Sequence, residues 1–199
     1  MKTLLIDCNP DKADIVSENM VIRTAQIFKN HGDHTQRINI RELNINFCIG
    51  CWDCWVKTPG KCTIKDEMQY IHQAVINADH VIFLSPLKMG FICTEMKKIQ
   101  ERIIPLLLPT IDIVEGEFHH KKRYDKYPKL SLLMLREIDT TDDDIKINQD
   151  IFKRFALNFR SEVLFSTTYG YQFEEIIYEA CNFERISEKA KEQLEAVNG

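Results

Sequence analysis

The sequence predicts a doubly wound α/β domain, a five-stranded parallel sheet with helices on both faces, and three observations carry that expectation. Short apolar runs alternate five times with longer segments of helical periodicity. The runs are almost continuously apolar, as strands covered on both faces must be. The chain of 199 residues suits one domain, and neither an internal repeat nor a low-complexity linker divides it.

Lys2 to Cys8 opens the chain as a buried strand rich in Leu and Ile. A helix follows from Ile15 to Lys29, with Ile15, Met20, Ile22, Ala25, Ile27 and Phe28 at helical spacing and a stop at His31-Gly32-Asp33. Thr35 to Ile40 is the second strand, and a cysteine-rich loop occupies residues 44–63. Asp66 caps a helix reaching Ala78, whose inner face is Met68, Ile71, Ala74 and Val75. Val81-Ile82-Phe83-Leu84 is the clearest buried strand, ended by Ser85-Pro86. The helix from Thr94 to Ile104 stops at Pro105 and Pro109, and a polar stretch with a basic insertion over residues 115–129 comes next. Leu130 to Leu135 is the fourth strand. Asp142-Asp143-Asp144 sets carboxylates at the N-terminus of a helix to Phe159, where the backbone dipole favours them. Val163 to Thr167 is the fifth strand, and an amphipathic helix over 185–197 closes the single domain 1–199.

Hydrophobic residues make up 44% and charged residues 28%, ordinary for a chain able to bury roughly 70% of its unfolded surface without staples. A net charge of -4 argues against a nucleic-acid partner. The N-terminal apolar run is too short for a signal-peptide core, and no stretch approaches the roughly 18 apolar residues of a membrane span. The expected location is therefore the cytoplasm. Its thiol pool would keep the seven cysteines reduced, so their clustering points to metal or redox chemistry rather than to disulfides.

Ligands of an open parallel sheet bind at the carboxyl ends of its strands. The loops over residues 8–17, 85–93 and 136–142 lie there, and the cysteine loop opens onto the same edge. Cys48, Cys51, Cys54 and Cys62 follow the spacing C-x2-C-x2-C-x7-C. Three thiols at three-residue steps can wrap one small cluster, with a fourth closing the site from further along. Gly50 and Gly60 give the loop freedom to aim its sulfurs. Zinc sites usually show two separated C-x2-C pairs, which this run lacks. The same residues also read as a metal-free apolar loop whose cysteines are small hydrophobes, or as a thiol redox switch. Trp52 and Trp55 flank the thiols, either to shield a cofactor, to cover a partner, or simply to pack.

Ser85-Pro86-Leu87-Lys88-Met89-Gly90-Phe91 follows the strongest strand. Its glycine lets a flat ring approach the backbone, whose N–H groups can bond the edge of a flavin; an ordinary βα turn has the same composition. The first loop, Cys8-Asn9-Pro10-Asp11, leads to a helix N-terminus, a natural seat for a phosphate. Ser17 and Asn19 are its candidate donors, and Ser17 is equally a plain N-cap.

Together these segments resemble the NADPH-dependent FMN reductases and iron–sulfur flavoproteins of the flavodoxin-like superfamily, over residues 2–135. Asn9-Pro10 stands where that family commonly has Gly-Ser-Pro, and Cys-x-Gly-Cys-x-x-Cys continues to Gly60-Lys61-Cys62-Thr63-Ile64-Lys65-Asp66-Glu67, close to the family's Gly-x-Cys-x-x-x-Asp-Asp. Ser85-Pro86-Leu87 with a glycine matches the flavin-ring loop, and Met96-Lys97-Lys98 with Glu101-Arg102 is similar to Leu-Lys…Asp-Arg on the next helix. The resemblance implies a sheet ordered 2-1-3-4-5 with FMN at its carboxyl edge, in a homodimer or homotetramer. It implies an FMN-dependent NAD(P)H oxidoreductase or electron-transfer flavoprotein, with a nicotinamide cofactor as donor and an acceptor that the sequence does not identify. By position, Asn9, Pro10, Ser17 and Asn19 would hold the phosphate, Ser85 to Phe91 would line the isoalloxazine, and the four cysteines would hold a [4Fe–4S] cluster. Two loops depart from the pattern. The first lacks the usual glycine and carries Glu18 beside the phosphate position, and Arg136-Glu137-Ile138-Asp139-Thr140 has no glycines where relatives often have a pair. Arg136 would compensate electrostatically. These departures keep a second reading open, a flavodoxin-like binding or regulatory module that has lost its cofactor. The basic insertion, with two tyrosines, suits the phosphates of NAD(P)H or an acidic partner, and equally a solvated arm. No residue stands out as acid, base or nucleophile.

Overall fold

A computed structural model describes residues 1–180 and residue 182; the helix expected over 185–197 lies outside them. The chain runs β1 (Lys2–Asp7), α1 (Ile15–Asn30), β2 (His34–Asn39), α2 (Asp53–Val56), α3 (Met68–Asn77), β3 (His80–Lys88), β4 (Phe91–Ile92), α4 (Thr94–Arg102), β5 (Leu107–Val114), β6 (Glu117–Lys122), β7 (Lys129–Leu135), α5 (Asp142–Asn158) and β8 (Val163–Thr168). Strands β2-β1-β3-β7-β8 form the central sheet, all pairs parallel. Renumbered by chain order, that is the 2-1-3-4-5 arrangement the sequence led us to expect. The short β4 joins antiparallel to the end of β3.

The continuous apolar runs follow from burial on both faces. Leu4, Ile6, Val81, Phe83, Leu130 and Leu132 point to one side, where they meet Met68, Ile71 and Val75 of α3, Met96 and Ile99 of α4, and Phe152, Ala156 and Phe159 of α5. Leu5, Ile82, Leu84 and Leu133 point to the other, against Met20, Val21 and Phe28 of α1 and Phe173 and Ile177 of a helix that begins at residue 173. With strand side chains alternating faces, a one-residue register slip would exchange the two sets, so pairs such as Ile6 with Phe83 and Phe83 with Leu132 are strongly specified.

Two stretches differ from expectation. β3 does not end at Ser85-Pro86 but continues to Lys88. Beside it β1 has already stopped, its last bond running from Cys8 N to the Leu84 carbonyl, so the missing N–H of Pro86 costs that pairing nothing. Met89 and Gly90, at φ 52° and 75°, then turn the chain back into β4 as a two-residue hairpin. The polar stretch after α4 is likewise a hairpin, β5–β6, turning at Glu115 and Gly116 with φ 52° and 82°. Pro109 does not terminate anything there. It sits where the β5–β6 register shifts between Leu107 and Ile111, a position that needs no ladder N–H. The first part of the basic insertion is therefore the turn and strand β6 of an excursion beside the main sheet. No helix among the described residues is long and apolar enough to cross a membrane.

Candidate functional site

The cysteine loop leaves the carboxyl end of β2 and returns at α3. Two left-handed residues, Gly50 at φ 63° and Trp52 at φ 60°, bend the chain tightly between Cys48 and Cys54. The one-turn helix α2 then presents Cys54, and the chain folds back through Gly60, at φ 83°, whose N–H donates to the Cys54 carbonyl at 3.0 Å. As a result Cys48, Cys51, Cys54 and Cys62 line one small cavity together with Ile49, Ile64, Ile104, Pro105 and Arg102. Cys48 and Cys51 are exposed, Cys62 is half-buried, and Cys54 is buried. Burial pushes the Cys54 thiol up, and charge on Cys62, Cys51 and Cys48 pushes it further. Among the described residues no three His, Cys, Asp or Glu side chains are arranged as a single-ion site. An iron–sulfur cluster instead takes its thiolates at separate irons, so its ligands ring a cavity; four cysteines around one pocket fit that demand.

The loop is fixed at both ends. Trp55 stacks on Trp52 at 5.1 Å and packs at a 52° tilt against His120 of β6 at 4.8 Å, and its Nε1 donates to the Leu107 carbonyl at 3.0 Å, which ties the loop to the β5–β6 excursion. At the base, Arg102 of α4 and Asp66 form an ion pair whose side chains are 1% and 0% exposed. Arg102 Nη1 donates to Asp66 Oδ2 at 2.8 Å and to the Asn46 carbonyl at 2.7 Å, while Nη2 donates to Asp66 Oδ1 at 3.0 Å and to Cys62 Sγ at 3.4 Å. Asp66 also accepts from the N–H groups of Asn46 and Met68. Burial opposes ionisation of Asp66, but these bonds together hold its carboxyl well below the usual range. The sequence assigns Asp66 as the cap of α3, whose N-cap is in fact Glu67, although Asp66 Oδ1 still accepts from Met68 N; it carries both segments in the resemblance without pairing them. Nothing in a lone sequence joins residues 66 and 102.

The first loop satisfies itself. Asp7 is buried between Arg37 and Arg41, at 2.7 and 3.2 Å. Asn9 is buried in a turn that exchanges bonds with the backbone of Asp11, and Pro10 is exposed. The N-cap of α1 is Asp14, not Ser17: its Oδ1 accepts from Val16 N and Ser17 N, both at 3.0 Å. Ser17 is itself buried, donating its hydroxyl to Asp14 Oδ2 at 2.6 Å, and Asn19 lies exposed on α1. Glu18 turns outward to Arg37 at 2.6 Å. The α1 N-terminus is thus an anion seat, and its occupant is the chain's own carboxylate. A phosphate fits there only where Asp14 swings out.

The other predicted ring-side residues split into two sets. Ser85, Pro86 and Leu87 are buried at the hairpin base, where Ser85 Oγ accepts from Cys93 N at 3.1 Å. Lys88, Met89 and Phe91 are exposed at its tip, Lys88 paired with Glu137. Gly90 is pinned from α5: Asn148 Nδ2 donates to its carbonyl at 2.9 Å, and a Cβ on Gly90 would lie 2.7 Å from the Asp144 carboxylate. Arg136 is engaged within its own loop, by Asp142 at 2.9 Å and the Thr140 carbonyl at 3.1 Å. Sequence reasoning gives no role to Asp14 or Asn148, and carries Arg102 only within the resemblance on α4. Only Asp14 carried a local signal, a good capping residue ahead of an apolar helix.

No known family profile matches the chain. Among curated proteins it is 30% identical over 105 residues to an iron–sulfur flavoprotein of Archaeoglobus fulgidus, covering 53% of this chain and 46% of that one. It is 35% identical over 75 residues to an iron–sulfur flavoprotein of Methanocaldococcus jannaschii, covering 38% of each. The matched stretch thus spans less than half of these relatives, and their names agree with the resemblance drawn from the cysteine motif. Among solved structures, an FMN-dependent NADH-azoreductase from Bacillus anthracis in complex with FMN superposes with a TM-score of 0.59 at 15% identity, over 96% of this chain and 98% of that one. An NAD(P)H:quinone oxidoreductase from Methanothermobacter marburgensis gives a TM-score of 0.59 at 12% identity, over 90% and 95%. These establish the flavodoxin-like fold.

Proposed function

We propose that the chain is an oxidoreductase of the iron–sulfur flavoprotein kind, passing electrons from NAD(P)H through FMN to an acceptor, with a [4Fe–4S] cluster on Cys48, Cys51, Cys54 and Cys62. The observation that carries this reading is the convergence of four thiols on one cavity of a flavodoxin-like scaffold. FMN supplies two-electron hydride chemistry with one-electron release, and a cluster supplies one-electron transfer. The chain's own residues bind and orient. The thiols would hold iron, and the Trp52–Trp55 stack lies on the loop beside them. The amides of Val16 and Ser17 would be the phosphate's donors in place of Asp14, and the exposed hairpin tip of Lys88, Met89 and Phe91 would lie along the ring. On β6, Lys121 and Lys122 line an open pocket with Asp112 and Arg160, which pair with each other at 3.3 Å, and the two lysines are the groups suited to the phosphates of the nicotinamide donor.

The visible spectrum of protein purified without oxygen tests the reading. Flavin bands with a broad absorbance bleached by dithionite are expected, and protein that stays colourless with added FMN and with iron and sulfide sinks it. A Cys54→Ser variant should lose iron; unchanged iron content removes the cluster from the proposal. A second reading, a module without flavin, is favoured by one observation, Asp14 seated on the amides a phosphate needs. It predicts iron without yellow colour.

A further inference from the structure

Three of the four cysteines follow one another at three-residue steps, but Cys62 stands eight positions beyond Cys54 and needs separate support. The structure provides it from α4. The Arg102 guanidinium is held from one side by the two oxygens of Asp66 and by the Asn46 carbonyl, and gives its remaining Nη2 bond to Cys62 Sγ at 3.4 Å. The backbone of Arg102 is fixed as well, its carbonyl accepting from Nε2 of the buried His72 at 2.7 Å. One further donor is free: Arg102 Nε is buried without a hydrogen-bond partner, on a residue that lines the thiol cavity. A buried N–H left unsatisfied is unfavourable, so an acceptor at this position would be a gain.

We propose that Arg102 is the positioning residue of the four-cysteine site, clamped by Asp66 so that it donates to the Cys62 sulfur and thereby sets the hold on iron and the reduction potential. The proposal rests on the reading that these cysteines carry a cluster. Reduction adds negative charge to a cluster, and hydrogen bonds to its sulfurs stabilise the reduced form, which raises the potential. An Arg is suited to this task because its planar fork can face a carboxylate bidentately and still offer a donor on another edge. A lysine keeps the charge but not the fork, so it can pair with Asp66 without also reaching Cys62.

The test compares anaerobically reconstituted wild type with Arg102→Lys and with the double variant Arg102→Met, Asp66→Asn, which removes both buried charges together. The readouts are iron and sulfide content, rate of iron loss to a chelator, and midpoint potential by dye-equilibrated titration. We expect Arg102→Lys to retain iron while its equilibrium constant for reduction falls about tenfold, a drop of about 59 mV for one electron. The double variant should show the same fall and lose iron at least tenfold faster. Potentials and chelation rates within twofold of wild type in a folded variant overturn the proposal, and if Arg102→Lys does not fold the double variant decides. A wild type that takes no iron sinks the cluster reading itself, whereas unchanged variants of an iron-loaded protein sink only the role of Arg102.

Discussion

Replacing Asp14 by Ser should open the α1 N-terminus to a phosphate. Asp14 binds the amides of Val16 and Ser17 through one oxygen and the Ser17 hydroxyl through the other, so an incoming phosphate competes for donors already in use. It also meets like charge. With a phosphate of about −1.5 to −2 placed about 5 Å from a partly exposed carboxylate, the repulsion in a water-like dielectric is about 1–2 kcal/mol, or roughly tenfold in affinity. Serine caps a helix about as well as aspartate, so the variant should lose only a few tenths of a kcal/mol of stability. The assay is fluorescence titration of wild type and Asp14→Ser with FMN and with riboflavin, which lacks the phosphate. The ratio of FMN to riboflavin affinity should rise about tenfold in the variant, riboflavin binding should hold within twofold, and the gain should shrink as salt screens the charge. A ratio that does not move, or a wild type that already prefers FMN a hundredfold, refutes the reasoning.

Gly90→Ala should destabilise the fold by about 1–3 kcal/mol in urea denaturation, because φ is 75° and the new methyl meets the Asp144 carboxylate at 2.7 Å; a loss under 0.5 kcal/mol, about the size of a neutral surface change, counts against a pinned hairpin. Stability should also fall as pH drops. Burial pushes His80 down to about 3, below its ordinary value of 6.5, so the unfolded chain takes up a proton that the folded one refuses. The contribution of neutral His80 is whole above pH 6.5 and shrinks by up to about 1.4 kcal/mol per pH unit from there toward 3. Urea titrations at pH 7.5 and 5.5 check this, and equal stability at the two values removes His80 as the cause. His72, lowered by burial, adds in the same direction.

The main sheet was legible because each strand is buried on both faces and so prints an apolar run that periodicity detects, with helices between them. The two hairpins were not, and the reason is the same at each. Their turn signals, Met89-Gly90 and Glu115-Gly116, are single glycines after residues that seldom take positive φ, and the prolines beside them suggested termination. Pro86 and Pro109 sit instead where a ladder bond is already absent. In the site, the cysteine spacing was readable because it is local. The Arg102–Asp66 pair was not, because it is made by α4 packing beside the returning loop.

The same contrast separates the two anion-related features. At the cysteine loop the protein buries an Arg–Asp pair, which is costly unless its partners are satisfied, and gives one further Nη2 bond to the Cys62 sulfur. Removing Asp66 alone would strand the Arg102 charge, so the pair functions as a unit that only a double substitution can remove cleanly. At the first loop Arg37 and Arg41 are spent on Asp7 and Glu18, leaving the α1 amides to Asp14. A phosphate arriving there meets the Val16 and Ser17 amides already bonded to Asp14, and Arg37 already paired with Asp7 and Glu18. On the proposed reading, FMN affinity would hinge on one exchangeable carboxylate, Asp14, and the hold on a cluster on the buried Arg102–Asp66 pair.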